Sequence, residues 1–402
     1  MERRKAKYIA LLLVAMLLFG ANQTYGDVNS QFVPDTDGID TDGDGDPNND
    51  HVYVHVGAGD GFVNMADGKL LYEFSFSQLT GVPDNMIMEQ GSMAAEIPAP
   101  TLVFKEGQKV YLNLTNVGMM MRPDLFDAHT IHWHGFPNAS TVFDGVPTES
   151  IAIKMGATLT YFYNAAYPGT FIWHCHVEAT EHMQMGMIGN LWVLPIQNNL
   201  PDGADLNGFT HHTGYKYAYN DGDGSTYYDV DYPLQFTGFD SDFHDASINV
   251  QPLPFALMDD NYGLINGRGY PQTVDANSLP NSHDGKLNQK VNSLITAVQG
   301  QKILLRMSGV STTDYTTIAT TLGVPMKVVG KDAELVRGPT GKDTSYWTSS
   351  IDIAGGDTFD VIVDTTDVAP GTYILYTTNL NLLSNDQEDF GGIMTEIRIS
   401  AP

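Results

Sequence analysis

The chain's single cysteine lies among other residues that can bind a metal ion. In the stretch WHCHVEATEHMQMGM (residues 173–187), Cys175 stands between His174 and His176, and His182 and Met187 follow within twelve residues. A thiolate and two imidazoles with a weak axial thioether form the donor set of a blue-copper site. The types and spacing of these residues therefore favour copper binding over an incidental buried thiol.

A second histidine-rich segment, AHTIHWHG (residues 128–135), lies upstream. Side chains two positions apart on a strand face the same side of a sheet. On strands, His132 and His134 therefore point one way, and so do His174 and His176. Cys175, between the latter two, points the opposite way.

This alternation predicts two adjacent metal sites on opposite faces of one strand. The predicted ligands of the first site, around the thiol, are His129, Cys175, His182 and Met187. The predicted ligands of the second site, between the two His-x-His pairs, are His132, His134, His174 and His176. Electrons could pass between the sites along the backbone next to the thiol.

Strands must position these residues. Segments such as KVYLNLTNV (109–117) and GTFIWHCHV (169–177) are rich in β-branched and aromatic residues, and Gly, Pro and Asn bound them. No long stretch keeps a 3.6-residue apolar period, so the fold class predicted is all-β, built from sandwiches.

An internal repeat sets the predicted domain count. Three blocks recur in the same order at offsets of 193 to 202 residues. They are 106–117 with 299–310, 151–163 with 351–363, and 167–176 with 369–378. Two copies of one β-domain are therefore predicted, at 52–196 and at 230–402, with a polar connection over 197–229.

The N-terminus predicts export. MERRKAK precedes a twelve-residue apolar run, which is typical of a secretory signal peptide over residues 1–26 and too short to span a bilayer. No other stretch is apolar enough for a membrane span, and the expected location is periplasmic or secreted. The formal net charge of −28 argues against nucleic acid as a partner, because phosphates would be repelled.

Residues 27–51 predict an acidic, Asp/Gly-rich leader, a tail or linker without periodicity. Within it, Asp40, Asp42 and Asp44 alternate before Gly45, as at the start of a calcium loop, although His51 stands where an EF-hand has Glu. A solvated acidic segment and a calcium-ordered loop are the two interpretations.

HTIHWHG, DGVP (144–147) and the Cys175 stretch together resemble the cupredoxin and multicopper-oxidase family. The resemblance implies two tandem cupredoxin-like Greek-key β-sandwich domains. It also implies type 1 copper at His129, Cys175, His182 and Met187. The histidines implied as ligands of type 2 and type 3 copper are His132, His134, His174 and His176. The implied enzyme is an oxidoreductase that takes electrons from a small reductant or redox protein, and the implied assembly is a homotrimer.

The second domain departs from the family pattern. The family's trinuclear copper cluster takes half of its eight histidines from a partner domain, whereas no histidine follows His283 in this chain. By the repeat, Tyr376, Thr377 and Thr378 correspond to the His-Cys-His motif, and Ile393 corresponds to Met187.

Three functions stay open at this point. The first is an unusual two-domain oxidase that reduces oxygen at the histidine-bound site. The second is an enzyme like the copper nitrite reductases, with His134 and His174 as ligands and His244 or His283 of a neighbouring subunit as the third. His132 counts against this second function, because it stands where the copper nitrite reductases have an aspartate. The third is a blue-copper electron carrier or copper-binding protein. Methionines such as Met120 and Met183 either pack around the site or bind Cu(I), and Cu(I) binding would favour a cuprous oxidase or a copper-tolerance role.

Overall fold

The computed structural model describes residues 30–402 except Thr36, residues 137–139 and Gln387. The predicted signal peptide lies outside these residues. The strands of the described residues are, in chain order, β1 (Gln31–Val33), β2 (His51–Asn64), β3 (Leu70–Gln78), β4 (Ala99–Lys105), β5 (Lys109–Gly118), β6 (His132–His134), β7 (Thr158–Asn164), β8 (Gly169–His174), β9 (Ile188–Leu194), β10 (Asp205–Leu206), β11 (Phe209–Thr210), β12 (Lys216–Tyr217), β13 (Tyr227–Tyr228), β14 (Val230–Phe239), β15 (Tyr262–Ile265), β16 (Leu279–Pro280), β17 (Leu287–Gln289), β18 (Ile295–Val298), β19 (Lys302–Gly309), β20 (Thr316–Thr320), β21 (Met326–Lys331), β22 (Glu334–Leu335), β23 (Tyr346–Thr348), β24 (Ser350–Ile353), β25 (Thr358–Asp364), β26 (Gly371–Thr377) and β27 (Met394–Ser400).

Helices are few and short. The α-helices of the described residues are α1 (Ile87–Gly91), α2 (Ala179–Gln184) and α3 (Ser241–Ile248). Among the described residues, none of the helices has the length and apolar character needed to cross a bilayer.

The sheets form two sandwiches with the same strand order, which we call the first and second modules. In the first module, β3-β2-β5-β7 faces β4-β9-β8-β6. In the second, β15-β14-β19-β25 and β18-β27-β26-β20 repeat these orders, including the parallel pairs β2·β5 and β14·β19. The all-β prediction of two tandem sandwiches is confirmed.

Alternation of side chains along each strand builds the two cores. On β5, Val110, Leu112 and Leu114 are buried, whereas Tyr111 and Asn113 between them are half-buried. The period of two places the apolar face of the sheet against the facing sheet. Each module has its own cluster of buried apolar residues.

The leader is packed against the first module, which differs from the predicted tail or linker. β1 pairs antiparallel with β2, with Gln31 opposite Tyr53. Asp42 and Asp50 are fully buried, and the Asp50 carboxylate accepts hydrogen bonds from the backbone N–H groups of Thr41 and Asp42, both at 3.0 Å. Thr41 Oγ1 also donates to Gly107 O at 3.1 Å, a contact between residues 66 positions apart that composition alone could not reveal.

A buried cation joins the modules. Arg306 on β19 is 1% exposed, and its Nε lies 2.9 Å from an Asp231 carboxylate oxygen. Its Nη1 lies 3.6 Å from Asp360 and donates to the Thr170 hydroxyl of the first module at 3.2 Å. Thr170 in turn donates to Asp360 at 2.7 Å, so one charge network spans the contact between β8 and the second module.

Removing this cation should be costly. Arg306→Leu would remove the positive charge that lies beside the carboxylates of Asp231 and Asp360, and we expect a loss of about 3–5 kcal/mol in the free energy of unfolding. Urea denaturation of the full chain measures it. Arg398→Leu is the matched control, because its pair with Glu396 is half-exposed, and it should change stability by less than about 1 kcal/mol. Equal losses in the two variants would contradict this role.

Candidate metal centre

Cys175 lies directly after β8, at the point where the chain leaves the sheet. Its backbone N–H donates to Met187 O at 3.2 Å, and Met187 N–H donates to His182 O at 2.8 Å. α2 carries His182, and Met187 immediately precedes β9. These backbone bonds fold the stretch 175–187 into a closed loop with its cysteine, histidine and methionine on the inside.

His129 reaches the same place from another loop. Its N–H donates to Ile153 O at 3.0 Å, and Ile153 N–H returns a bond to His129 O at 2.9 Å. The Nδ1 atoms of His129 and His182 lie 3.8 and 3.2 Å from Cys175 Sγ. The three ligand atoms lie within 4.8 Å of one another, and all four predicted residues, Met187 included, are fully buried.

The electrostatics of this pocket suit a soft metal ion. Burial lowers the pKa of His182 to about 4 and that of His129 well below its usual value, so both imidazoles are neutral and can donate a lone pair. Burial also raises the pKa of the Cys175 thiol to about 11. A bound cation would favour the thiolate. Thiolate, two imidazoles and a thioether fit copper.

The second predicted group lies next to the first. β6 pairs with β8 so that His132 stands opposite His174. The His132 ring centroid lies 5.8, 5.3 and 5.1 Å from those of His134, His174 and His176. The structure therefore brings these four side chains together on one side of the β8 backbone, while Cys175 faces the thiol pocket.

Two of these rings are oriented by backbone carbonyls. His132 Nδ1 donates to Asp144 O at 2.6 Å, and His174 Nδ1 donates to Cys175 O at 2.7 Å. Such bonds fix the tautomer and leave Nε2 free as a ligand, as second partners of metal-bound histidines do. Burial lowers the pKa of His174 to about 3 and also lowers that of His132. The group therefore also fits copper.

The second group is more open than the first. Among the described residues, three donor atoms lie within 4.8 Å of one another in the thiol pocket and in a group of aspartates. The donor atoms of the four histidines are spread more widely than this. His134 is exposed, and a cleft of about 400 Å³ reaches it. Gly356 of the second module is part of that cleft's lining.

The second module keeps the backbone of the thiol pocket and replaces its donors. Thr377 N–H donates to Ile393 O at 3.0 Å, and Ile393 N–H donates to Leu382 O at 2.8 Å, as in the Cys175 loop. Thr316 pairs with Ile353 as His129 pairs with Ile153. The hydroxyl groups of Thr316 and Thr377 hydrogen-bond to each other.

The counterparts of the thiol pocket's four residues are therefore Thr316, Thr377, Leu382 and Ile393. The repeat in sequence identified Thr377 and Ile393. It matched the His129 segment to residues 315–323 without assigning Thr316, and it missed Leu382, because the loops differ in length between the copies. Strand pairing likewise makes Ala319 the counterpart of His132, since Ala319 stands opposite Tyr376.

His244 is wrong as a candidate third ligand. It is fully buried in α3, and its two ring nitrogens face the backbone oxygens of Tyr72 and Gln184. No ring nitrogen is left for a metal ion of a neighbouring subunit. His283 is exposed and stacks on Phe62 at a centroid distance of 4.2 Å, and its role stays a prediction.

The acidic loop of the leader differs from the predicted calcium pattern. Asp40, Asp42 and Asp50 bring their oxygens within 4.8 Å of one another. Asp44 instead pairs with Lys105, whose ammonium also lies 3.4 Å from Asp42. A protein cation therefore already stands beside two of the three predicted ligands, and calcium binding at Asp40, Asp42 and Asp44 stays a prediction.

Comparison with known proteins identifies relatives of both modules. A family model described as multicopper oxidase matches residues 79–198, and a second one with the same description matches residues 243–395. Laccase-1 of Cryptococcus neoformans is 24% identical over 312 residues, which cover 75% of this chain and 42% of that protein. L-ascorbate oxidase of Cucurbita maxima is 26% identical over 314 residues, 74% of this chain and 46% of that protein.

A higher identity is confined to a shorter region. The multicopper oxidase MCE of Talaromyces pinophilus is 30% identical over 131 residues, 32% of this chain and 20% of that protein. The chain thus spans less than half the length of these three curated relatives.

Solved structures share the fold. The blue copper oxidase from Nitrosomonas europaea superimposes with a TM-score of 0.61 at 23% identity, over 86% of this chain and 85% of that one. The multicopper oxidase mgLAC gives a TM-score of 0.60 at 20% identity, over 87% and 86%.

Gly356 offers a test of the second group that leaves the thiol pocket alone. A Cβ at this position would lie 3.2 Å from His134 Cε1. We expect Gly356→Ala to displace the His134 ring and weaken copper binding at the four histidines, without changing the blue absorption of the Cys175 site. Copper content and visible spectra measure the two effects separately.

Gly341→Ala is the matched control, because Gly341 has a positive φ of 78° but open space around it. It shares the cost of an alanine at positive φ, of order 1 kcal/mol. Equal copper loss in both variants would show that the His134 contact is irrelevant.

Proposed function

Because this chain belongs to the multicopper oxidases, a family of copper-dependent oxidoreductases, we propose that it passes electrons from an external reductant to oxygen through two adjacent copper sites. Type 1 copper would be held by His129, Cys175, His182 and Met187. The histidines that would hold the second copper site are His132, His134, His174 and His176. When bound, copper would supply one-electron redox chemistry at both sites.

The observation that carries this proposal is the position of Cys175 between the two groups. Its Sγ lies within 4 Å of the Nδ1 atoms of His129 and His182. Its two chain neighbours, His174 and His176, belong to the other group, with their ring centroids 5.5 Å apart. The covalent path from thiolate to imidazole therefore crosses a single peptide link in either direction.

The two groups differ in access, which suits different tasks. The residues of the thiol pocket are fully buried. They would hold their ion in a fixed, water-free geometry that limits reorganisation during electron transfer. The exposed His134 lies on a cleft that a small acceptor such as oxygen can enter. The residues at the cleft would bind and orient the acceptor, whereas the buried residues of the thiol pocket would exclude water from the first copper site.

An electron carrier or copper-binding protein without oxidase activity is the second candidate. One observation favours it: the second module offers Ala319, Tyr376 and Thr378 where a partner domain would need histidines. The nitrite-reductase alternative has lost His244 as a third ligand.

Copper content and electron spin resonance separate these functions. The oxidase proposal predicts at least two copper ions per chain, a type 2 signal beside the type 1 signal, and oxygen consumption with a reductant. Cys175→Ser should abolish the blue band but keep the type 2 signal. His132→Ala should abolish the type 2 signal but keep the blue band, because each variant removes a donor from one group only. A single copper with an intense blue band and no oxygen uptake would establish the carrier. Nitrite turnover with a reduced dye would support the nitrite-reductase alternative.

The setting of the protein is also part of the proposal. We expect an exported chain that begins near Asp27 and assembles as a homotrimer, in which a neighbouring copy can approach the open histidine group. Mass spectrometry and light scattering on protein recovered from the periplasm or medium test both points. An uncleaved N-terminus would contradict export, and a monomer would contradict any site shared between subunits.

A further inference from the structure

Large apolar side chains are exposed beside the thiol pocket. Phe126 is 74% exposed and Met120 is 64% exposed, both on the loop between β5 and His129. Leu257 is 79% exposed and Phe255 is 50% exposed, on the segment that follows α3. Grouped apolar residues on a soluble protein mark interaction sites, whereas isolated ones do not.

Contacts hold the two segments together. The Arg122 guanidinium, on the first loop, donates to the Ser247 backbone oxygen in α3. Phe243 of α3 packs edge-on against Phe255, with ring centroids 5.3 Å apart. Leu253, from the second segment, packs against the apolar core of the first module. The exposed side chains of both segments therefore belong to one surface.

This surface borders the thiol pocket. The Asn116 amide donates to the backbone oxygens of both Asp127 and Ile153, at 2.8 and 2.9 Å, which ties the exposed loop to the residue that pairs with His129. On the other side, Val177 O lies 3.8 Å from Cys175 Sγ, and the exposed Glu178 follows it.

Carboxylates lie on one side of these apolar residues, near the loop that carries Phe126. Asp127, Glu178 and Glu181 are close enough to interact electrostatically, and Arg122 is the cation that acts on both Asp127 and Glu181. Arg122 is itself paired with Asp124 at 2.8 Å. Burial raises the pKa of Glu181 to about 7, so this carboxyl is only partly charged at neutral pH. The four carboxyl groups still outnumber the one guanidinium, which makes the border acidic, as is the whole chain at −28. An apolar centre with a charged border is the usual anatomy of a protein interface.

We propose that this surface docks a small redox protein with a basic contact face, which delivers electrons to the thiol pocket. The docking surface is formed by Met120, Phe126, Phe255 and Leu257 with Asp124, Asp127, Glu178 and Glu181. The proposal rests on the proposed function. A small reductant would touch only a few atoms, whereas a protein partner covers exposed side chains on two segments at once. Its basic residues would meet the carboxylates and be steered toward them.

Binding to this surface can be measured with and without copper. The probes are a lysine-rich c-type cytochrome and an acidic cytochrome of similar size, titrated by calorimetry into the copper-loaded and copper-free chain. We expect the basic probe to bind both forms at about 0.01 M ionic strength, and to bind at least tenfold more weakly at about 0.15 M because of screening. The acidic probe should not bind.

Two variants and two matched controls locate the contact. Glu178→Lys and Phe126→Ser should each weaken binding of the basic probe about tenfold or more, the first through charge and the second through apolar contact. Asp367→Lys makes the same reversal of charge, and Phe32→Ser makes the same substitution, at exposed positions on the turn after β25 and on β1. They should leave the Kd within about twofold.

Electron transfer supplies the second readout. Stopped-flow reduction of the blue band by the reduced basic cytochrome should slow in Glu178→Lys and Phe126→Ser, whereas reduction by hydroquinone, a small uncharged donor, should not. Equal affinity for the two cytochromes, or unchanged binding in both surface variants, would overturn the docking surface. A copper-loaded chain that lacks a blue band reducible by hydroquinone would overturn the proposed function instead, while binding to the copper-free chain would still support the surface.

Discussion

The arrangement of both metal groups depends on where β8 leaves its sheet. Up to His174, the strand is hydrogen-bonded between β6 and β9, which places His174 opposite His132. The next N–H donates to Met187 O, and this bond turns the Cys175 side chain toward His129 and His182. One segment of backbone thus belongs to two donor groups. Burying so many polar groups is costly unless each has a partner, and under the proposed function a metal ion in each group would supply that partner.

In the second module, other side chains fill the same frame. The Thr316 and Thr377 hydroxyls satisfy each other, and Leu382 and Ile393 fill the remaining space with apolar atoms. The second module contacts the first through Arg306 and Asp360, where its β19 and β25 strands pack on β8. It supports the strand that carries the donors and forms part of the cleft at His134.

Local patterns in the sequence predicted much of this arrangement. The His-x-His and His-Cys-His spacings, with strand alternation, separated the two donor groups, and three repeated blocks predicted the two sandwiches. Contacts between distant segments escaped prediction. Lys105 meets Asp44 across 61 positions, so the leader looked unattached. His244 was expected as a possible third ligand, but its contacts with the backbone oxygens of Tyr72 and Gln184 join segments that are distant in sequence. The docking surface joins two segments more than a hundred residues apart, which no local pattern shows.

Copper-edge anomalous diffraction from crystals of the copper-loaded chain tests the central claim most directly, because it locates each ion without reference to activity. The account predicts one strong peak between Cys175 Sγ and the Nδ1 atoms of His129 and His182. It predicts at least one further peak among the four histidines on the other side of β8. A peak at Cys175 with none at the histidines would contradict the two-site account and leave an electron carrier.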